Sequence, residues 1–262
     1  MENKEYEIMA ELELNHWWYK HLHNLIEECL SEEAMKLKNS LSIFDVGCGT
    51  GGLIFRMMDK PFVKRIIGTD PHPLARKYAK KKGIKVIDFS VENLLEIKEK
   101  YDVVLCIDVL YHKDVNTVIA IKSLFNLLKP GGMVVINVAA MPSLRRNHSE
   151  RVMEGRRFTI KQIRYLIESE GFKINKIFYW NSFLTPFIWI ISQWQKLFPN
   201  SLIFNSKDKS SLKATNFILG GVLTKILSFE NSAKNIISLP FGSSLFLSAY
   251  KPEKAKDFYK DN

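Results

Sequence analysis

A chain of 262 residues, 46% apolar and 25% charged, has room for one α/β domain with additions and is too ordinary in composition for a disordered or fibrous protein. Its net charge of +10 is compatible with nucleic acid, an anionic membrane surface or an anionic ligand. No zinc-finger, RGG or RRM-type pattern goes with that charge, and much of the lysine lies in runs such as Lys77–Lys85 that read as a solvated helix face, so a specific nucleic-acid partner is not expected.

Three scattered cysteines, Cys29, Cys48 and Cys106, form no disulfide framework or metal spacing and point to a reducing cytoplasm. The first fifteen residues are acidic and lack the apolar core of a signal peptide. Residues 4–37 read as one or two amphipathic helices, with His16-Trp17-Trp18-Tyr19 at the join. Such an aromatic cluster is a packing element or a cover over a ligand.

Leu41 to Leu53 is the stretch around which the chain is organised. Ser42 to Val46 reads as a short buried strand; Gly47-Cys48-Gly49-Thr50-Gly51-Gly52 breaks it, and a helical pattern follows. Strand, glycine turn and helix together set a ligand against backbone N–H groups at a helix N-terminus. The glycines fit two patterns: GxGxxG through Gly47, Gly49 and Gly52, or GxGxG through Gly47, Gly49 and Gly51 with an acid, Asp45, two residues before. Arg65–Thr69 is a second strand closed by Asp70-Pro71, with Asp70 nineteen residues beyond Gly51. An acid there can accept hydrogen bonds from two ribose hydroxyls, or cap a helix begun by Pro71 and Pro73.

Ile84–Phe89 is predicted as a third strand and Tyr101–Ile107 as a fourth, apolar enough to be covered on both faces. Asp114–Lys129 is a predicted helix, and Leu128-Lys129-Pro130-Gly131-Gly132 turns into strand five, Met133–Val138. A helix at Ile160–Glu170 and a sixth strand ending at Tyr179 follow. Residues 181–238 form an apolar, aromatic insertion whose longest apolar run is far short of the ~20 residues of a spanning helix. It is a lid, a dimer face or a peripheral membrane contact. Ser243–Tyr250 is the last strand, and 253–262 a polar tail.

DVGCGTG, the acid after strand two, Ser90-Val91-Glu92-Asn93-Leu94, VLYH after strand four and LKPGG before strand five occur in the order found in class I S-adenosylmethionine (SAM)-dependent methyltransferases, which this chain resembles. Farther on, His148, Arg156, Arg157, Phe158 and Thr159 are similar to a small-molecule subgroup of that family. Ser149 and Glu154 stand where the subgroup has Asp and a second His. Trp180–Pro186 and the Pro240-Phe241-Gly242 ending resemble it too.

The resemblance implies an α/β fold: a Rossmann-like seven-stranded sheet, mostly parallel, with the last strand antiparallel between five and six. It implies one domain over 1–252, divided into an N-terminal helical cover (1–40), a SAM-binding core (41–180), the insertion (181–238) and the last strand (239–252). SAM is the implied cofactor and S-adenosylhomocysteine its product. Gly47, Gly49 and Gly51 would admit its methionine end and Asp45 favour its ammonium. Asp70 would hold the ribose and Ser90-Val91 the adenine, with Cys48, Pro71, Ile107 and His112 completing the surface. His148 and His112 are candidate bases, Tyr111 a third. Asp108 and His112 alone keep too few of a related ExxEH segment's acids for a metal. The implied acceptor is a small molecule and the protein a monomer or homodimer; an RNA or protein methyltransferase, or a non-catalytic SAM-binding subunit, is the alternative.

Overall fold

The strands carry apolar residues at nearly every position, so their period-two alternation feeds two cores rather than one. In the computed structural model, which describes residues 2–145, 149, 152–197, 217–233 and 239–253, seven strands form one sheet. They are β1 (Leu41–Val46), β2 (Val63–Thr69), β3 (Val86–Ile87), β4 (Tyr101–Ile107), β5 (Leu128–Ala139), β6 (Lys173–Trp180) and β7 (Ser244–Tyr250), ordered β3-β2-β1-β4-β5-β7-β6. Only β7 runs against its neighbours, between β5 and β6 as expected.

Phe44, Val46, Val104, Cys106, Val134 and Ile136 face one side and pack under α5 (Thr117–Leu127) and α6 (Ile160–Ser169). Ile43, Val103, Leu105, Met133 and Val135 face the other and are covered by Leu22, Leu25, Ile26 and Leu30 of α2 (Trp17–Leu37). The chain reverses direction across the sheet between β1 and β4, which pair in parallel. At such a switch point the loops leaving the two strands diverge and open a crevice at their carboxyl ends.

The N-terminal cover is two helices, α1 (Asn3–Leu12) and α2, broken where the aromatic cluster begins. His16 caps α2, its Nδ1 accepting from the Trp18 amide at 3.3 Å. The third strand is shorter than its sequence pattern: only Val86 and Ile87 pair with β2. Ile84 instead packs against Ala79 of α4 (Pro73–Lys81) and Ile54 of α3 (Gly52–Met57). The α5 helix starts three residues later than predicted because Asn116 caps it, accepting from the Val118 and Ile119 amides. β5 begins at Leu128, within the LKPGG segment, and its register with β4 shifts between Tyr101 and Val103.

The insertion contributes α7 (Thr185–Leu197) and α8 (Phe217–Ala233). Leu227 of α8 enters the core beneath α2. The buried Glu230 carboxylate accepts from the Ser182 and Phe183 amides, tying α8 to the start of α7. Ser192 donates to the backbone oxygen of Arg145 at 2.9 Å, holding α7 against the loop after β5. Both helices therefore lie at the end of the sheet where the crevice opens.

Candidate active site

A cavity of about 1180 Å³ occupies that crevice. Asp45, Gly47, Cys48, Gly49, Asp70, Pro71, Ser90, Val91, Ile107, Tyr111 and His112 all line it, so tertiary structure brings together residues spread over nearly seventy positions. Gly51 is not among them. Its φ of +86° starts α3, and a Cβ there would lie 2.9 Å from Ile84 Cδ1 and 3.1 Å from Ala79 Cβ. His148 lies outside the described residues.

The glycine loop makes a cradle that side chains would fill. Gly47 has φ +69°, and a Cβ on it would stand 2.4 Å from Val109 Cγ2. Gly49, at φ +54°, faces Met9 Sδ at 3.0 Å from its virtual Cβ. Both positive φ values favour glycine, and the close approach at Gly47 adds to that. The helix N-terminus behind the loop does not await a ligand, as the sequence pattern suggests it should. Glu13, at the end of α1, already occupies it: its carboxylate accepts from the Gly52 amide at 2.9 Å and pairs with Lys82 Nζ at 2.8 Å.

Asp45 is 2% exposed and makes no side-chain hydrogen bond among the described residues. Burial, with the Asp70 charge adding to it, pushes its carboxyl up to about 8. A ligand's cationic group at that wall would relieve the penalty. Asp70 is oriented from both sides, Oδ2 accepting from the Gly49 amide at 3.0 Å and Oδ1 from the His72 amide at 2.8 Å. A carboxylate has about four acceptor positions, so a vicinal diol can still be held. It is not the helix cap: His72 caps α4, its Nδ1 accepting from the Leu74 amide. Thr69 Oγ1 donates to the Ile87 and Phe89 carbonyls and so fixes the chain leading to Ser90 and Val91. These features fit SAM: an ammonium beside Asp45, a ribose on Asp70, a flat base against Ser90-Val91.

Toward the β4–β5 side the wall becomes titratable. The His112 and Tyr111 rings lie 4.9 Å apart. Burial lowers His112, leaving a neutral imidazole at neutral pH. Burial, reinforced by Asp108 and Glu154, raises Tyr111 well above its ordinary value, so its phenol stays protonated. Arg157 forms a bidentate pair with Glu154, at 2.7 and 2.9 Å, and donates to the Ala140 carbonyl. Arg156 turns away to Thr117 Oγ1. Among the described residues no three His, Cys, Asp or Glu side chains are placed to hold a metal ion.

Sequence reasoning weighed one group in this wall, Asp108, only as a metal ligand, and passed over another. Asp108, at the end of β4, adopts a left-handed φ of +60° and lines the cavity. Asn137 Nδ2 donates to its Oδ1 at 3.0 Å, and Trp180 Nε1 in turn donates to Asn137 Oδ1 at 2.9 Å. Burial raises the Asp108 carboxyl to about 7. Its position just past an apolar strand at the switch point was the available signal. The other group is the inner face of α1, where Tyr6, Met9 and Glu13, at helical spacing, line the cavity. Tyr6 stacks on His72 with ring centroids 4.2 Å apart.

The far half of the cavity is apolar: Trp17 and Trp18 from α2, Leu184, Ile188 and Ile191 from α7, and Leu223 and Ile226 from α8. Two polar atoms on residues of this half, Trp17 Nε1 and Asn181 Oδ1, are buried without a hydrogen-bond partner among the described residues.

A sequence model described as methyltransferase domain matches residues 16–177. The tRNA U34 carboxymethyltransferase of Helicobacter acinonychis is 32% identical over 123 residues, 44% of this chain and 46% of that protein. The enzyme of the same name from Campylobacter hominis is 34% identical over 101 residues, 36% of this chain and 35% of its own. The chain thus spans about half or less of the length of these curated relatives. Among solved structures, the plantazolicin methyltransferase BamL, in complex with a triazolic desmethylPZN analog and SAH, superposes with a TM-score of 0.56 at 18% identity, over 88% of this chain and 85% of that one. A methyltransferase in complex with the Trm112 activator of Haloferax volcanii also gives 0.56, at 12% identity over 95% of both chains. At such identities the likeness concerns the fold. With the family match over more than half of its length, the chain belongs to the methyltransferase domain family, and its sheet order and superpositions give it the fold of those solved methyltransferases.

Proposed function

We propose that this methyltransferase acts on a nucleophilic oxygen or nitrogen of a small acceptor with an apolar body, seated under α7 and α8. One observation carries the reading: a single cavity joins the glycine–carboxylate end to an apolar end built by the insertion. Bound SAM supplies an electrophilic methyl group. Gly47 and Gly49 leave room for its methionine end, Asp45 balances its ammonium, and Asp70 holds its ribose. The chain's remaining work is to orient the acceptor, exclude water and receive a proton.

Asp108 and His112 are the proton acceptors this wall offers. Asn137 positions the first, and burial keeps the second neutral.

A second reading is methylation of RNA. The named relatives that act on tRNA support it, as does the net charge of +10. Incubation with methyl-tritiated SAM and, separately, total RNA and an organic extract of the producing cells distinguishes the two. Label in the organic phase is expected. Label in acid-precipitable RNA alone would replace the first reading with the second.

A further inference from the structure

The large apolar side chains that remain exposed are concentrated on the insertion. Phe187, Ile190, Trp194 and Leu197 follow one another at intervals of three and four residues, which places them on one side of α7, and Phe183 is exposed in the turn before it. Leu184, just before α7, with Ile188 and Ile191 forms the adjacent side and lines the cavity. On α8, Val222 and Phe229 are exposed seven residues apart, with the exposed Lys225 between them on the same face. Phe183 and Phe229 bring the two faces together, their ring centroids 6.0 Å apart. Phe187, 66% exposed, and Val222, 50% exposed, also line the cavity, so its mouth opens within this apolar face.

Charge identifies what covers the face. Residues 181–238 contain six lysines and two acids, and among the described side chains Lys225 stands exposed on this face. One of the acids, Glu230, is buried against the Ser182 and Phe183 amides and adds nothing to the surface. The apolar centre of a protein–protein interface is depleted of lysine. A helix lying in a lipid headgroup layer combines tryptophan and leucine with lysine, and draws added affinity from anionic lipid. No helix among the described residues is long and apolar enough to cross a bilayer, so contact would be from one side.

We propose that the face formed by Phe183, Phe187, Ile190 and Leu197 with Val222, Lys225 and Phe229 docks on an anionic lipid bilayer. The acceptor then reaches the cavity from the bilayer through the mouth between Phe187 and Val222. This rests on the small apolar acceptor argued above and narrows it to a molecule dissolved in the membrane. Docking presses the mouth into the lipid phase, so an apolar acceptor need not pass through water, and the glycine-lined end, under α1, lies away from the docked face.

The test is flotation of the full chain with vesicles of equal parts phosphatidylcholine and phosphatidylglycerol, and with phosphatidylcholine alone. S-adenosylhomocysteine binding is measured calorimetrically in parallel. The protein is expected to float with the anionic vesicles and to bind neutral ones at least tenfold more weakly. Ile190→Glu combined with Leu197→Glu should reduce vesicle binding at least tenfold and leave S-adenosylhomocysteine affinity within twofold. Lys225→Glu should weaken the anionic preference alone. Brominated lipid should quench the tryptophan fluorescence of the wild type and not of the double variant. S-adenosylhomocysteine binding without flotation would overturn the docking and leave the proposed acceptor class standing. A dimer in vesicle-free buffer that the double variant converts to monomer would assign the face to a second copy instead. Failure of S-adenosylhomocysteine to bind would instead remove the functional reading on which the docking rests.

Discussion

Three carboxylates at the strand ends carry most of what can be tested at the level of single residues. Asp70→Ala should weaken S-adenosylhomocysteine binding by about 1–3 kcal/mol in calorimetry, the worth of charge-assisted hydrogen bonds to a diol. Asp45 is raised to about 8 in the fold, against an ordinary value of 3.8. Between those values the unfolded chain is ionised and the fold protonated, so this group's contribution to stability is present at low pH and lost as pH rises to about 8. Asp45→Asn should therefore raise the melting temperature of the ligand-free protein at pH 8 while weakening cofactor binding. In the wild type, cofactor binding at pH 7 should release a proton as the carboxyl ionises beside the ammonium, visible as a dependence of binding heat on buffer ionisation enthalpy. Asp108, raised to about 7, can accept a proton only above that pH. If it is the base, the rate rises with pH through about 7. Asp108→Asn should then lower turnover ~10²–10⁴-fold and abolish that limb of the profile. A limb found instead below 6.5, with turnover kept in Asp108→Asn, would move the role to His112.

Among the elements, α1 has a role that its acidic sequence hardly announces. Its inner face closes the cofactor end: Tyr6 stacks on His72, Met9 lies over Gly49, and Glu13 takes the α3 N-terminus and pairs with Lys82. Glu13→Gln retains an acceptor but removes the charge that favours both the helix end and the lysine. A loss of about 1.5–3 kcal/mol of stability is expected, read as a lower midpoint in urea unfolding. Hydrogen exchange in residues 3–12 should slow when S-adenosylhomocysteine binds, because the helix covers the ligand directly. The glycine turn was legible from sequence because Gly47 and Gly49 have positive φ, which favours glycine, and Gly47 has a close neighbour as well. The third strand was not: Ile84 has the composition of a strand residue, and its packing under α4 decides otherwise.

For the molecule as a whole, the chain alone marked out the strands and, through the resemblance its motifs carry, the seven-stranded sheet and most residues lining the glycine end of the cavity. The reason is physical: apolar strands, positive-φ glycines and an acid after the second strand impose local geometry wherever they occur. Tertiary structure decided what depends on side chains far apart in sequence. It removed Gly51 from the cavity, placing it against Ala79 and Ile84, and put Glu13 where a ligand was expected. It paired Arg157 with Glu154 rather than leaving it for an anion. It also joined Asp108 to Trp180 through Asn137, across positions 108 to 180. The insertion shows the division most clearly. Its apolar run reads from sequence as lid, dimer face or membrane contact, because periodicity cannot say which side of a helix is covered. In the fold, Leu184, Ile188 and Ile191 face the cavity, Phe187 stands at its mouth and Ile190 and Leu197 face outward, because Ser192 and Glu230 fix the two helices against the end of the sheet.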